Sequence, residues 1–259
     1  MKGFLVDIEF MWGFQARVVG MSKTAPSFPL PPPTTILGAI AEVYARKKKL
    51  SESYSATTMK ELARNVLTLT YKPLNAIPLT YEDLNRIIAV RIAGGIKYPS
   101  TLDPYGSFDA PARGKTILSA LDNNPPILRV LAVFKDSADL SSEDLWKIKR
   151  IGSKESLVCV VDVKEEKPEI LRGVISTDYM LPLTREIEQS LIDRGGSIEL
   201  EFVPVTSLAT GRSPSEEYLE CRTLKHLVSL PLQRKVKVRL PTGYVGYKIK
   251  EEVAIGLES

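Results

Sequence analysis

The feature that most restricts this chain is a cluster of prolines between an alternating segment and a helical one. Pro26, Pro29, Pro31, Pro32 and Pro33 stand close together. Each fixes φ near ~−65° and lacks an amide donor, so this connection is stiff and cannot be the interior of a sheet. Upstream, Phe4, Val6, Ile8 and Phe10 alternate with Leu5, Asp7, Glu9 and Met11. That is the period of a strand with one face on a core. Trp12, Phe14, Ala16 and Val18 extend the alternation past a bend at Gly13. Downstream, Ile36, Leu37, Ile40, Val43 and Tyr44 recur at helical spacing and predict a helix over 34–47. Thr34 and Thr35 are its N-cap candidates. Gly38 sits inside it, where glycine costs about 1 kcal/mol against alanine. It points either to a close approach by a backbone or ligand, or to tight helix packing.

The rest of the first two-thirds alternates between the two periods. A short helix is expected over 59–66 and a second strand over 66–71. Residues 80–93 fit both periods. Thr80 and Asp83 resemble a capping box, while Ile87–Ile92 reads as strand, and strand is preferred for the latter half. Ile127–Phe134 is a buried strand, Ser141 or Ser142 caps a short helix, and Leu157–Val163 is a continuous apolar strand. The order strand, helix, strand, strand, helix, strand is that of a split β-α-β, or ferredoxin-like, arrangement, also used by RNA-recognition modules. The fold class is therefore α+β. The division expected is a ferredoxin-like domain over 1–164 and a smaller β-rich domain over 165–259. In the latter, short strands are expected at 172–183 and 198–206 around a helical piece at 184–193. A polar loop follows at 206–220, then strands at 235–240 and 243–255.

One segment breaks this rhythm. From 94 to 126, glycine and proline recur at Gly94, Gly95, Pro99, Pro104, Gly106, Pro111, Gly114, Pro125 and Pro126, with little regular periodicity. A connection of this length inside a domain is usually functional or disordered, and this one is too rich in aromatic and apolar residues for a simple linker. Lys97, Tyr98, Tyr105, Phe108, Arg113 and Lys115 interleave cations with rings. Single-stranded nucleic acid is held by that mixture, cations on phosphates and rings on bases. The same residues also suit a proline-rich lid whose rings pack on their own domain. Arg150, Ser153 and Lys154 in the Arg150–Ser156 loop fit a phosphate cradle or an ordinary turn. Arg17 and Lys23 flank the opening stretch. Lys235, Lys237 and Arg239 alternate with Val236, Val238 and Leu240, placing cations about 6.6 Å apart on one strand face. This is a positive stripe or a solvated face.

Three blocks carry a family resemblance. They are the Trp12–Tyr44 stretch with its Pro-Pro-Thr and Gly38-Ala39, the segment from Gly94 to Thr116, and Arg150–Val163. In this order they resemble CRISPR-associated RAMP proteins. The likeness is greatest to the small subunit that holds the 5′ handle of the guide RNA in type I effector (Cascade) complexes, in the archaeal I-A-like branch. It covers most of the first two-thirds and is thin beyond Lys164. It implies a ferredoxin-like RAMP domain whose insertion forms a thumb over the neighbouring subunit and the guide RNA. It also implies the crRNA handle, backbone RAMP subunits and a large subunit as partners. Arg17, Lys23, Lys97, Tyr98, Tyr105, Phe108, Arg113, Lys115, Arg150 and Lys154 are the RNA-contact candidates.

Some classes are disfavoured. No run of eighteen apolar residues spans a membrane. Two cysteines without metal spacing suit a reduced, cytoplasmic protein. No cofactor or metal motif is evident. The net charge of +4 permits an anionic partner without requiring one. Catalysis has little support. The single histidine, His226, lies in an apolar stretch, and with Arg222, Lys225 and Tyr44 it is the one candidate set for metal-independent RNA cleavage. Some family members cut repeat RNA with Tyr, Lys and His on the thumb and first domain, but the insertion here has no His. An endoribonuclease and an adaptor touching only protein stand as the alternatives to an RNA binder.

Overall fold

Four antiparallel strands form the sheet on which the molecule is built. The computed structural model describes residues 1–16, 18, 26–51, 55–84, 87–88, 91–93, 96–98, 108–109, 112–204 and 223–258. Across the sheet the strands run Val158–Glu166, Lys2–Phe10, Ile127–Phe134, Val66–Pro73. In chain order that is fourth, first, third, second, and every neighbour is antiparallel. The helices Pro33–Lys47 and Ser55–Asn65 fall between its first and second strands, and the short helix Ser142–Leu145 between its third and fourth.

The alternation of the first strand decides the layering. Phe4, Val6, Ile8 and Phe10 are buried in one cluster with Ile36, Leu37, Ile40, Val43 and Tyr44 of the long helix. The opposite face is covered as well. Leu5, Leu67, Leu131 and Val133 pack with Tyr179, Val245, Tyr247, Ile249 and Ala254 from the C-terminal part. Asp7, Lys72 and Arg129 on this second face are paired rather than solvated. Arg129 donates two hydrogen bonds to Asp7, both 2.7 Å, and a third to Glu252 at 2.8 Å. Lys72 reaches Glu252 at 2.6 Å and Asp178 at 2.9 Å. Backbone and hydroxyl bonds add to the seam: Met180 N–H donates to Tyr71 C=O, and Thr68 Oγ1 to Ile255 C=O.

Several local expectations are corrected. Pro32, not Thr34 or Thr35, is the N-cap of the long helix, and Pro33 opens it. The missing proline amide is one that a first helical turn leaves unbonded anyway. A Cβ at Gly38 would meet nothing within 4 Å, so neither the close approach nor the tight packing is present among the described residues. Thr80 lies inside the strand Ala76–Leu84, opposite Thr116, so cross-strand pairing overrides the capping-box pattern. The strand Ala112–Ala120 lies where no regular period was expected. Gly114, Thr116 and Leu118 are buried on one side of it while Ile117 is exposed on the other, an alternation obscured by Pro111 and Gly114.

The C-terminal part is built from three small antiparallel sheets. The strand Val236–Arg239 is flanked by Val174–Thr177 and Leu191–Asp193. Thr223–Val228 lies between Leu181–Pro182 and Ile198–Pro204. Tyr244–Ile249 lies between Glu169–Leu171 and Glu252–Leu257. The helix expected over 184–193 is capped by Thr184 and stops at Gln189, because Leu191 and Asp193 pair with Val238 and Lys237. The single strand expected over 243–255 is a hairpin. The polar loop expected over 206–220 lies outside the described residues. No described helix is long and apolar enough to cross a membrane.

Candidate nucleic-acid interface

The strands Ala76–Leu84 and Ala112–Ala120 pair over their full length, from Ala76 opposite Ala120 to Leu84 opposite Ala112. Ile87 and Ile88 continue the same register against Asp109 and Phe108. Further out, Arg91–Ala93 pairs with Ile96–Tyr98, with Gly94 and Gly95 as the two residues between Ala93 and Ile96. The insertion is thus a two-stranded arm that begins at Ala76, well before Gly94.

The base of this arm is locked to three other segments. Gly13 and Phe14 add a short strand opposite Ile117 and Thr116. The proline-rich connection then crosses the arm's buried face. Thr116 Oγ1 donates to Phe28 C=O at 2.6 Å, and a Cβ on Gly114 would lie 2.2 Å from Ser27 N. Only glycine allows the backbones to approach so closely. Ser27 Oγ accepts from Ala16 N–H, and Phe28 N–H donates to Ala16 C=O. On the other side, the Arg150–Ser156 loop docks on Gln15. Ser156 Oγ accepts from Gln15 N–H at 3.1 Å, and Ser153 N–H donates to Gln15 C=O at 3.2 Å. The Trp12 indole donates to Glu155 C=O at 2.8 Å. Gly152 makes the turn at φ +100°, with Gln15 O 2.7 Å from where a Cβ would be. The three sequence blocks of the family resemblance therefore meet in one junction.

The candidates divide by position. Arg150 and Lys154 are exposed beside the junction and have no ion-pair or hydrogen-bond partner among the described residues. Their loop is a docked turn and not an open cradle, since the amides of Ile151, Ser153 and Ser156 already donate to Ser156, Gln15 and Ser153 carbonyls. Lys115 stands opposite Tyr81 at the arm's base, half-buried and partnered. Arg113, opposite Asp83, lies further out, followed by Phe108 opposite Ile88. Lys97 and Tyr98 lie in the outermost strand pair, opposite Ile92 and Arg91. Arg17, Lys23 and Tyr105 lie outside the described residues. Sequence reasoning missed the residues that build the junction, Gln15, Ser27, Thr116 and Ser156. The hydroxyls of Ser27, Thr116 and Ser156 bonding to backbone, and the backbone of Gln15 bonding to a distant loop, leave no periodic signal. It also missed Arg91, which the register sets opposite Tyr98.

Other charged groups are committed elsewhere. The basic end of the long helix is largely paired. Arg46 holds Glu42 at 2.9 Å, and Lys47 bridges Asp139 at 3.0 Å and Asp144 at 2.9 Å. The side-chain hydrogen bonds from Lys48 and Lys47 pull the Asp139 carboxyl down to about 2. The cleavage candidates are similarly occupied or enclosed. His226 is 3% exposed, and desolvation lowers its pKa to about 4. Lys225 is tied to Glu199 at 2.6 Å, and Tyr44 donates to Glu61 at 3.0 Å. Arg222 lies outside the described residues. A buried imidazole that stays neutral is badly placed to take a proton from an RNA hydroxyl.

The whole chain superposes on a CRISPR protein from Archaeoglobus fulgidus, with 38% identity, complete coverage of both chains and a TM-score of 0.73. The chain is thus a CRISPR-associated protein. The CRISPR-associated protein Cas5 2 of Saccharolobus solfataricus is 29% identical over 167 residues, 63% of this chain and 61% of the relative. The chain thus spans about three-fifths of the length of this Cas5 relative. A chain of a CRISPR RNA-guided surveillance complex is 13% identical, with 93% of this chain and 91% of that chain covered and a TM-score of 0.36. No family model matches.

Proposed function

We propose that this protein is a non-catalytic RNA-binding subunit of a type I, I-A-like CRISPR effector complex. It holds the 5′ handle of the crRNA and docks on backbone RAMP subunits beside the large subunit. In this reading the four-stranded sheet is a ferredoxin-like RAMP core over about 1–164, and the arm is its thumb. Residues from 165 onward form a β-rich second domain.

The observation that carries the reading is the junction. A stiff proline segment and a docked loop clamp the base of a two-stranded arm, with Arg150 and Lys154 unpaired beside it. Further out the arm carries Arg113, Phe108, Lys97 and Tyr98. Fixing the base lowers the entropy lost when a flexible strand binds. Unpaired cations hold phosphates, so affinity falls with salt, and ring stacking supplies about 1–3 kcal/mol per base. The exposed face of the arm's base supports the protein contact: Leu79 and Ile117 are a direct cross-strand pair, both exposed.

The experiment is to incubate the purified full chain with repeat-derived single-stranded RNA in EDTA. A shifted, uncut RNA is expected. Site-specific cleavage that disappears in His226→Ala would establish the endoribonuclease instead. Absence of any shift, with handle protection unchanged in complexes carrying Lys97→Glu, Arg113→Glu and Lys115→Glu, would leave a protein-only adaptor.

A further inference from the structure

The C-terminal part carries a second feature that neither the fold nor the junction uses. Residues Leu230–Gln233 form a tight turn closed from both sides. Gln233 N–H donates to Leu230 C=O at 3.1 Å, and the Gln233 side chain accepts from Leu230 N–H at 2.7 Å. Pro231 takes the second position, and Leu232 follows with φ +71°. Positive φ at the third position after a proline marks a type II turn, where glycine or asparagine is the usual residue. A leucine there is strained. It is also 98% exposed, so it packs on none of the described residues. Strain and full exposure of one apolar side chain both oppose its presence unless something outside the chain receives it.

The strand that follows supplies the surroundings. Lys235, Lys237 and Arg239 are exposed and have no ion pair among the described residues. Arg46, Lys47, Arg172, Lys225 and Lys248 elsewhere on the described surface are paired, while Lys60, Arg64, Lys149, Lys167 and Arg185 are unpaired but do not form a same-face row on a strand. Asp193, set opposite Lys237, already accepts from Gly195 N–H and faces Arg234. Val174, directly opposite Arg239, and Ile192 on the flanking strand are each 54% exposed.

We propose that the Leu232 turn and the outer face of this sheet dock a protein subunit, one that offers an apolar pocket bordered by carboxylates. Leu232 enters the pocket, and Lys235, Lys237 and Arg239 meet its acidic border. The aliphatic residues on the face separate this surface from a phosphate track, which needs cations and rings but has no use for a strained leucine. The surface is distinct from the arm. Its partner is sought within the effector complex, so the inference rests on the proposed function above.

The test places a benzophenone amino acid at position 232 of the full chain, co-produced with guide RNA and the other subunits of its complex. After irradiation, crosslinks are expected to one protein subunit, at a peptide carrying Asp or Glu near apolar residues. Lys237→Glu with Arg239→Glu is expected to weaken retention of that subunit at least tenfold. Leu232→Gly is expected to do the same while leaving the melting temperature of the isolated chain equal or higher, because glycine relieves the positive φ. Crosslinks to RNA, no crosslinks, or a lowered melting temperature in Leu232→Gly would each overturn the proposal. Retained guide RNA is scored in the same preparation. RNA retained without a protein crosslink removes this surface alone, whereas RNA absent from the wild-type complex removes the handle-binding function.

Discussion

The seam between the central sheet and the C-terminal part can be set against the junction at the arm's base. Both join segments distant in sequence. At the seam, Arg129, Lys72, Asp7, Asp178 and Glu252 pair with one another in a half-buried network. At the junction, the joining is done by hydroxyls, an indole and backbone amides, and the cations Arg150 and Lys154 remain exposed. The seam uses charge to hold the molecule together. The junction holds its parts with neutral groups, leaving its positive charge for something else. That contrast separates residues whose loss unfolds the protein from residues whose loss silences it.

The largest effect is expected at the seam. Arg129→Met leaves Asp7 and part of Glu252 without their partner, and breaking such a network typically costs about 3–5 kcal/mol. Urea denaturation should show a loss near the lower end, since the site is only half-buried. A loss under 1 kcal/mol would mean that solvent already satisfies these charges.

A second effect of similar size follows from His226. Its folded pKa is about 4 against an ordinary 6.5, so between those values the unfolded chain takes up a proton that the native protein refuses. Stability is therefore complete above pH 6.5 and falls as pH drops towards 4, by about 3 kcal/mol in all. As this is the single histidine, melting curves between pH 6.5 and 5.5, above the range in which Glu252 and Glu199 titrate, read it most directly. His226→Leu should flatten that dependence, and an unchanged slope would place the imidazole in contact with water.

At the junction, Gly114→Val forces side-chain atoms into the Pro26–Ser27 backbone. Overpacking of this kind costs roughly 1–3 kcal/mol. The expected outcome is a moderate loss of stability together with weakened RNA binding, because the arm's base is displaced. Intact RNA binding in a destabilised protein would separate the arm from the site.

Legibility in the sequence follows the same divide. The sheet could be read because burial imposes periods: Phe4, Val6, Ile8 and Phe10 in the first strand, and Ile36 through Tyr44 in the helix, all lie where their spacing put them. The second covered face was hidden, since Leu5 and Asp7 read as an outward side until the C-terminal strands are seen to cover them. The arm's strand 112–120 was hidden by its glycine and proline, although its alternation is regular once paired. The junction was legible only as resemblance. Gln15, Ser27, Thr116 and Ser156 join by one or two hydrogen bonds each, between segments up to 141 positions apart, and no local pattern encodes such a partner. Arg150 and Lys154 could be named as candidates, but only the docking of their loop shows that its amides are occupied while its cations are not.

The central claim, that the unpaired charge beside the junction holds RNA, is tested most directly by the salt dependence of handle RNA affinity in Arg150→Glu/Lys154→Glu. With two phosphate contacts removed, the slope of log affinity against log salt should become shallower by about 1.4. Affinity at low salt should drop at least tenfold, and the melting temperature should not move. Wild-type affinity and slope in the double variant would contradict the account.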